Sequence, residues 1–288
     1  MVQIMEILFS ISFFSIIFSI SVYFFALLIN TFKWHQLVPG YTVKQLFLLT
    51  LVCQYYSIIL PGQLAGEVVK AYKLGKGKQD AEKIAASVII DRITGLIGLT
   101  LVTITGLMFS KTDLAGELMP WLGMIIIISS LGLCLFRFNL FEKAVRKILF
   151  FIQRFFHSTS RITDQCSQLI DAWKAYLKKP FLLMTSVLFG IIFQIMATIL
   201  NLIIGKAVGI DIAFSDWCWI FGVVSVIIFL PITIGGVGLR EGGFVLLLGS
   251  LGVPNEKALA MSLSIFGLRI FAAFVGGIVD FRMDFKKT

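Results

Sequence analysis

The sequence predicts an all-α protein that crosses a membrane several times, and three observations lead to this prediction. Hydrophobic residues make up 58% of the 288 residues, against about 45–50% in a soluble domain. Only 14% of the residues are charged, against about 25% in a soluble domain. The apolar residues lie in long runs, and a spanning helix needs about 20 of them. With its loops removed, the chain has room for about six to eight membrane segments.

Five apolar runs are candidates for full spans. They cover residues 7–31, 84–109, 121–136, 181–204 and 258–279. The first run lacks the basic start and the small-residue cleavage site of a signal peptide, so we expect it to be retained as a helix. Because no polar stretch is long enough for a core of its own, we expect residues 1–288 to form a single membrane domain.

Two further apolar segments are interrupted by proline and glycine. Residues 46–72 break at Pro61-Gly62, and residues 217–251 break at Pro231. Irregular backbone at membrane depth is tolerated only where protein buries it or where it lines a water-filled cavity. Both segments are therefore candidates for the functional part of the molecule.

The charges of the loops predict how these segments lie in the membrane. Lys and Arg accumulate in cytoplasmic loops. The first segment follows a loop with Lys33 and Lys44 and runs into five lysines over residues 70–83, so both of its ends are predicted to be cytoplasmic. Such a segment must enter, turn and return as a re-entrant hairpin. Nearly neutral loops around Asp211 and Glu256 predict that the second hairpin enters from outside. The result is five or six full helices plus two hairpins.

The two hairpins also resemble each other, which predicts an inverted repeat. A Leu-Pro pair opens the break in both, and each is followed by a span with an internal arginine, Arg92 or Arg269. The residues predicted to shape the turns are Pro61, Gly62, Gly66, Pro231, Gly235, Gly236 and Gly238. Interrupted segments in matching positions of two halves indicate the binding site of a transporter.

Charged residues in and beside these apolar segments form the candidate substrate site. They are Arg92, Arg240, Arg269, Lys70, Glu67, Asp91 and Glu241. A central arginine costs about 2.5–3.5 kcal/mol on insertion scales, so it usually faces a cavity or a partner. Arginine also binds phosphate bidentately, which favours a cavity for a phosphate-bearing ligand.

A structural salt-bridge network is the alternative for the same charges. Glu67 and Glu241, one from each hairpin, are then the partners of the intramembrane arginines. Asp91 is not expected to pair with Arg92, because adjacent helical residues point about 100° apart. Lys70 lies one helical turn after Glu67, on the same face. Asp91 and Glu241 could also relay protons.

The longest polar segment, residues 137–179, holds nine Lys/Arg and three acidic residues. Its apolar residues recur at helical spacing, which predicts a basic amphipathic helix on the anionic cytoplasmic lipid surface. The alternative is a helix packed on neighbouring loops. Cytoplasmic loops of this kind account for the net charge of +9, so nucleic acid is not an expected partner.

Several chemistries lack their sequence signatures. The chain has no P-loop, no HExxH and no GxSxG motif. Its four cysteines form no CxxC pair and only two histidines are present, so we expect neither a metal site nor a cofactor. Catalytic residues are not predicted.

Four stretches carry a resemblance to a known family. They are residues 56–72 (YSIILPGQLAGEVVKAY), 85–98 (AASVIIDRITGLIG), 230–252 (LPITIGGVGLREGGFVLLLGSLG) and 258–270. In these stretches the chain resembles the lysylphosphatidylglycerol synthase transmembrane-region family of flippase-like membrane proteins. Family members usually carry an acidic residue at the position of Glu67 and a basic one at Lys70. The chain departs from the family at Tyr56, Ser57 and Gln63, where polar residues and an arginine are usual.

The resemblance implies a flippase of the inner (plasma) membrane that moves a phospholipid or polyprenyl-linked lipid between leaflets. It also implies a free-standing member, since the aminoacyl-transferase domain of larger relatives is missing from this sequence. The alternative is a membrane-embedded glycosyl or lipid-head-group transferase, or its membrane partner, with Glu67, Asp91 and Glu241 as catalytic acids. A lipid-modifying transferase is a candidate partner, and the sequence is compatible with a homo-oligomer.

Overall fold

The computed structural model describes residues 2–60, 65–76, 80–112, 116–117, 168, 171–228, 233 and 235–282. These residues form helices and no strands, which confirms the predicted class of an all-α polytopic membrane protein. The helices are α1 (Val2–Phe9), α2 (Phe13–Leu37), α3 (Val43–Ile59), α4 (Ala65–Gly75), α5 (Ala81–Phe109), α6 (Pro180–Ala207), α7 (Phe214–Ile228), α8 (Leu239–Gly249) and α9 (Asn255–Arg282).

Four of the described helices are long and apolar enough to cross a membrane: α2, α5, α6 and α9. They confirm four of the five predicted spans. The fifth, residues 121–136, lies outside the described residues, as does most of the polar segment 137–179. The first span begins later than predicted, because α1 ends at Phe9 and the Ser10 hydroxyl bonds back to the carbonyl of Ile7.

The interrupted segments each form two short helices that pack against each other. In the first pair, Gly66 at the start of α4 packs against the backbone of Cys53 in α3. Leu74, near the end of α4, shares an apolar cluster with Leu46, near the start of α3, so α4 runs back along α3. In the second pair, Gly243 of α8 packs against Val224 of α7.

The packing of the helices repeats between the two halves of the chain. In the first half α4 packs on α5, and in the second half α8 packs on α9. Across the halves, α3 packs on α9 and α7 packs on α5, while α2 and α6 pack on each other. Thr185 near the start of α6 donates a hydrogen bond to Gln36 near the end of α2, so these two helices are antiparallel. This arrangement agrees with the predicted inverted repeat.

Glycine allows the closest contacts between the halves. A Cβ on Gly276 of α9 would lie 1.9 Å from the carbonyl oxygen of Leu51 in α3. A Cβ on Gly222 of α7 would likewise lie 1.9 Å from Oγ1 of Thr103 in α5. The two equivalent interfaces thus both depend on a residue without a side chain, which lets the backbones approach.

Candidate substrate cavity

A cavity of about 300 Å³ lies where the two halves meet. Residues from every helix from α2 to α9 line it. Six of the seven predicted site residues are among them: Arg92, Arg240, Arg269, Lys70, Glu67 and Asp91. The seventh, Glu241, does not line the cavity but is bonded to Arg240. The fold therefore brings the predicted residues together around one space.

The first charge cluster consists of Lys33, Glu67, Lys70, Asp91 and Arg92, contributed by α2, α4 and α5. Arg92 Nη2 lies 2.7 Å from Glu67 Oε1, and Lys70 Nζ lies 3.5 Å from Glu67 Oε2. Lys70 also reaches Asp91 Oδ2 at 3.7 Å, and Lys33 Nζ lies 3.1 Å from Asp91 Oδ1. Three cations thus share two carboxylates, which confirms the predicted pairing of Glu67 with an arginine.

The position of Lys33 corrects the sequence interpretation, which places this residue in a basic loop, because Lys33 lies inside α2 and is 2% exposed. Lys70, predicted to lie one helical turn after Glu67, lies in α4 and is 1% exposed. Lys33 also donates to the backbone carbonyl of Asp91, and Lys70 lies 3.8 Å above the ring of Trp34. These partners compensate the loss of water that keeps most lysines at the surface. The apolar residues Trp34 and Leu37 continue the span beyond Lys33, and they are the feature of the sequence that indicates its burial.

The separation of Asp91 from Arg92 is confirmed. Asp91 faces the lysines of α2 and α4, whereas Arg92 faces Glu67 on α4. Neighbouring residues of α5 therefore serve different partners, as the helical rotation of about 100° per residue requires.

The second charge cluster consists of Arg240, Glu241, Ser262 and Arg269, contributed by α8 and α9. Arg240 donates Nη2 to Glu241 and Nε to Ser262 at 3.1 Å. Glu241 also accepts from the backbone N–H of Gly238 at 2.6 Å, which caps the start of α8.

The expected pairing of Glu241 with the intramembrane Arg269 is wrong. Among the described residues, Arg269 donates its hydrogen bond to the carbonyl of Gly235, with Nη1 at 3.1 Å. The cap at Gly238 fixes the Glu241 side chain toward the start of its own helix, next to Arg240. The cap at the start of α8 therefore decides which arginine Glu241 contacts.

Four of the glycines predicted to shape the turns lie within the described residues. Gly235, Gly236 and Gly238 adopt φ values of 64°, 80° and 87°, a left-handed region that favours glycine. Gly66 instead allows α4 to approach α3, since a Cβ there would lie 2.6 Å from the carbonyl oxygen of Cys53. The other predicted turn residues, Pro61, Gly62 and Pro231, lie outside the described residues.

Uncharged polar residues complete the cavity and were not predicted. They include Asn30, Gln54, Gln194, Asn201 and Ser225. Gln194 and Asn201 are seven residues apart on α6, a spacing that places them on one face of the helix. That spacing inside an apolar span was the available signal. Leu27, Phe193 and Phe221 add apolar surface, so the cavity offers both polar and apolar contacts.

The comparison with known protein families agrees with the resemblance carried by the sequence motifs. A family model described as the lysylphosphatidylglycerol synthase TM region matches residues 1–277. No curated protein and no solved structure matches the chain. The family match spans both halves of the repeat and every described residue of the two charge clusters. The chain therefore belongs to the lysylphosphatidylglycerol synthase TM-region family.

Proposed function

We propose that this protein is a lipid translocator of the plasma membrane, which moves a phospholipid or a polyprenyl-linked lipid between leaflets. The observation that carries the proposal is the cavity lined by five cations, Lys33, Lys70, Arg92, Arg240 and Arg269, among helices long enough to span a membrane. Membership of a lipid-related membrane family supports it.

The barrier to movement of a lipid between leaflets is the passage of its polar head group through hydrocarbon. An unpaired charge in an apolar medium is very costly, whereas acyl tails lose nothing by staying in the bilayer. A cavity with charged and amide side chains, such as Gln194 and Asn201, replaces the water of the head group. The tails remain in the lipid while the head group crosses.

The two pairs of short helices supply the route in this proposal. We infer that α3–α4 and α7–α8 are re-entrant hairpins that enter the bilayer from opposite faces. The polar ends of both pairs point to the same cavity, since Glu67 lies in the first turn of α4 and Arg240 lies in the first turn of α8. Alternating movement of the halves then exposes the cavity to one face or the other.

The ion pairs of the acidic residues favour transport over transferase chemistry. A catalytic base must be able to accept a proton from its substrate. Glu67 is bonded to Arg92 and lies 3.5 Å from Lys70, and Asp91 lies between two lysines. Contact with protein cations engages the oxygens of both carboxylates, so these oxygens are less available to a substrate proton.

The experiment that tests the proposal uses the purified chain in liposomes. A fluorescently labelled phospholipid is placed in both leaflets, and a membrane-impermeant reductant bleaches the outer one. We expect the protein to make the inner pool accessible without any added donor or nucleotide. A transferase would instead form a glycosylated or otherwise modified lipid when a donor is added. Product formation without leaflet exchange would overturn the proposal.

A further inference from the structure

The second charge cluster holds more positive charge than its own carboxylate neutralises. Two arginines, Arg240 and Arg269, face the cavity, and Glu241 is the single carboxylate that the described residues bring into contact with them. Arg269 is held by a neutral carbonyl, that of Gly235. A largely buried cation beside a neutral partner is costly unless an anion compensates it.

Arg240 also presents an unused donor. Its side chain is only 3% exposed. Nε donates a hydrogen bond to Ser262, Nη2 donates one to Glu241, and the guanidinium lies 4.7 Å from the centre of the Phe266 ring. Within the described part of the chain, its Nη1 has no hydrogen-bond partner. A buried donor of this kind is costly to leave unpaired, so its position at the cavity indicates a ligand that accepts hydrogen bonds.

The first charge cluster also has one cation more than it has carboxylates, but each of its three cations contacts a carboxylate, whereas Arg269 contacts none among the described residues. Lys33 contacts Asp91, Arg92 contacts Glu67, and Lys70 lies between the two acids. These contacts join three helices. The two clusters therefore line one cavity but have different capacities for an external anion.

We propose that Arg240 and Arg269 form a subsite for a phosphate anion, such as the phosphodiester of a lipid head group or free phosphate. The first charge cluster then has the structural role of holding α2, α4 and α5 together. Forked guanidinium donors match the oxygens of a phosphate, and the anion neutralises the charge left over beside Glu241. This assignment rests on the proposed function, since it names the part of the lipid that the cavity recognises.

The test measures binding without transport. The full chain in detergent micelles is titrated with dihexanoylphosphatidylglycerol, with inorganic phosphate, and with dihexanoylglycerol, which lacks phosphate. Arg240→Gln and Arg269→Gln should each weaken binding of the phospholipid roughly 10- to 100-fold, the usual range for a lost hydrogen bond to a charged group. Arg92→Gln should weaken it much less. Arg282→Gln, at the exposed end of α9, is the matched control and should not change it.

Unchanged phospholipid binding in both Gln variants, or a larger loss in Arg92→Gln, would overturn the assignment. An equal effect of the substitutions on dihexanoylglycerol would also overturn it, because phosphate would not be the group recognised. A lipid site binds the phospholipid more tightly than inorganic phosphate, and a free-phosphate site binds the two equally. Either result supports the subsite, provided that binding weakens in both the Arg240 and the Arg269 variants.

Two further measurements keep the test decisive. If the Gln variants aggregate, Arg240→Lys and Arg269→Lys keep the charge but lose the forked donors. They should bind the phospholipid severalfold more weakly than the original chain, and unchanged binding in both would contradict the subsite. Leaflet exchange is measured separately in liposomes. If the variants bind the phospholipid normally and leaflet exchange continues, only the subsite is refuted. If binding depends on the arginines but the original chain shows no exchange, only the translocator function is refuted.

Discussion

Arg92 Nη2 lies 2.7 Å from Glu67 Oε1, and this ion pair joins α5 to the helix that follows the first interruption of the chain. Glu67 also lies 3.5 Å from Lys70, so one carboxylate holds two cations. Its side chain is 16% exposed, whereas that of Arg92 is 33% exposed. Loss of Glu67 therefore removes a counter-charge from both Arg92 and Lys70.

Replacement of Glu67 by Gln should lower the stability of the folded protein by roughly 1–3 kcal/mol. Breaking a buried pair leaves its partner charge uncompensated, but the partial exposure of Arg92 reduces the cost. The measurement is thermal unfolding in detergent, followed by circular dichroism. Asp80→Asn removes the exposed pair with Lys83 and should leave the midpoint unchanged. Equal shifts in the two variants would contradict the structural role of Glu67.

Replacement of Lys33 by Met should also destabilise the protein, because Asp91 then keeps only its more distant lysine, Lys70. The double variant Lys33→Met, Asp91→Asn removes both charges and should lose less stability than the sum of the single variants. Lys44→Met is the control, since Lys44 is exposed at the start of α3. Strict additivity in thermal unfolding would show that Lys33 and Asp91 do not interact.

Replacement of Gly276 by Ala should disrupt the contact between α9 and α3. The new Cβ would lie 1.9 Å from the carbonyl oxygen of Leu51, so the helices must separate and lose packing along their interface. Gly267→Ala is a matched control in the same helix, because nothing lies within 4 Å of a Cβ there. We expect a lower unfolding midpoint and earlier aggregation for the first variant only. A well-behaved Gly276→Ala protein would contradict the close packing.

Replacement of Tyr56 by Phe should weaken the link between the first pair of short helices and the end of α9. The Tyr56 hydroxyl donates a 2.8 Å hydrogen bond to Asp280, and Lys73 of α4 bonds the same carboxylate. The expected loss is about 0.5–1.5 kcal/mol, as for one hydrogen bond. Tyr55→Phe removes a neighbouring hydroxyl that makes no hydrogen bond within the described residues. The two variants are compared in thermal unfolding, and equal effects would count against the link to Asp280.

The described helices can be predicted from the sequence because hydropathy and helix breakers act locally. The four long helices and both pairs of short helices follow from apolar runs and from prolines and glycines. The identity of the arginines and acids at the cavity also followed, since charge inside an apolar span is costly without a function or a partner. These features require no knowledge of which helices become neighbours.

Apart from the pairing of Glu67 with an arginine, the partners of the charged residues could not be predicted in the same way. The sequence pattern places Lys33 in a loop, but its burial depends on Asp91, which is 58 residues away along the chain. Glu241 was expected to reach Arg269, but the helix cap at Gly238 directs it to Arg240. Such pairings are set by helix rotation and helix packing, which a single sequence does not specify.

Obstruction of the cavity, without a change in its charge, tests whether lipid head groups pass through it. Ser225 lines the cavity on α7, and the next residue, Val226, is exposed on the outside of the same helix. Leaflet exchange of labelled phospholipid is measured in liposomes for the original chain, Ser225→Trp and Val226→Trp, each first shown to be monodisperse. We expect exchange by the original chain and by Val226→Trp, and only the rate of protein-free vesicles for Ser225→Trp. Full exchange by Ser225→Trp, or none by the original chain, would show that the cavity is not the route of the lipid.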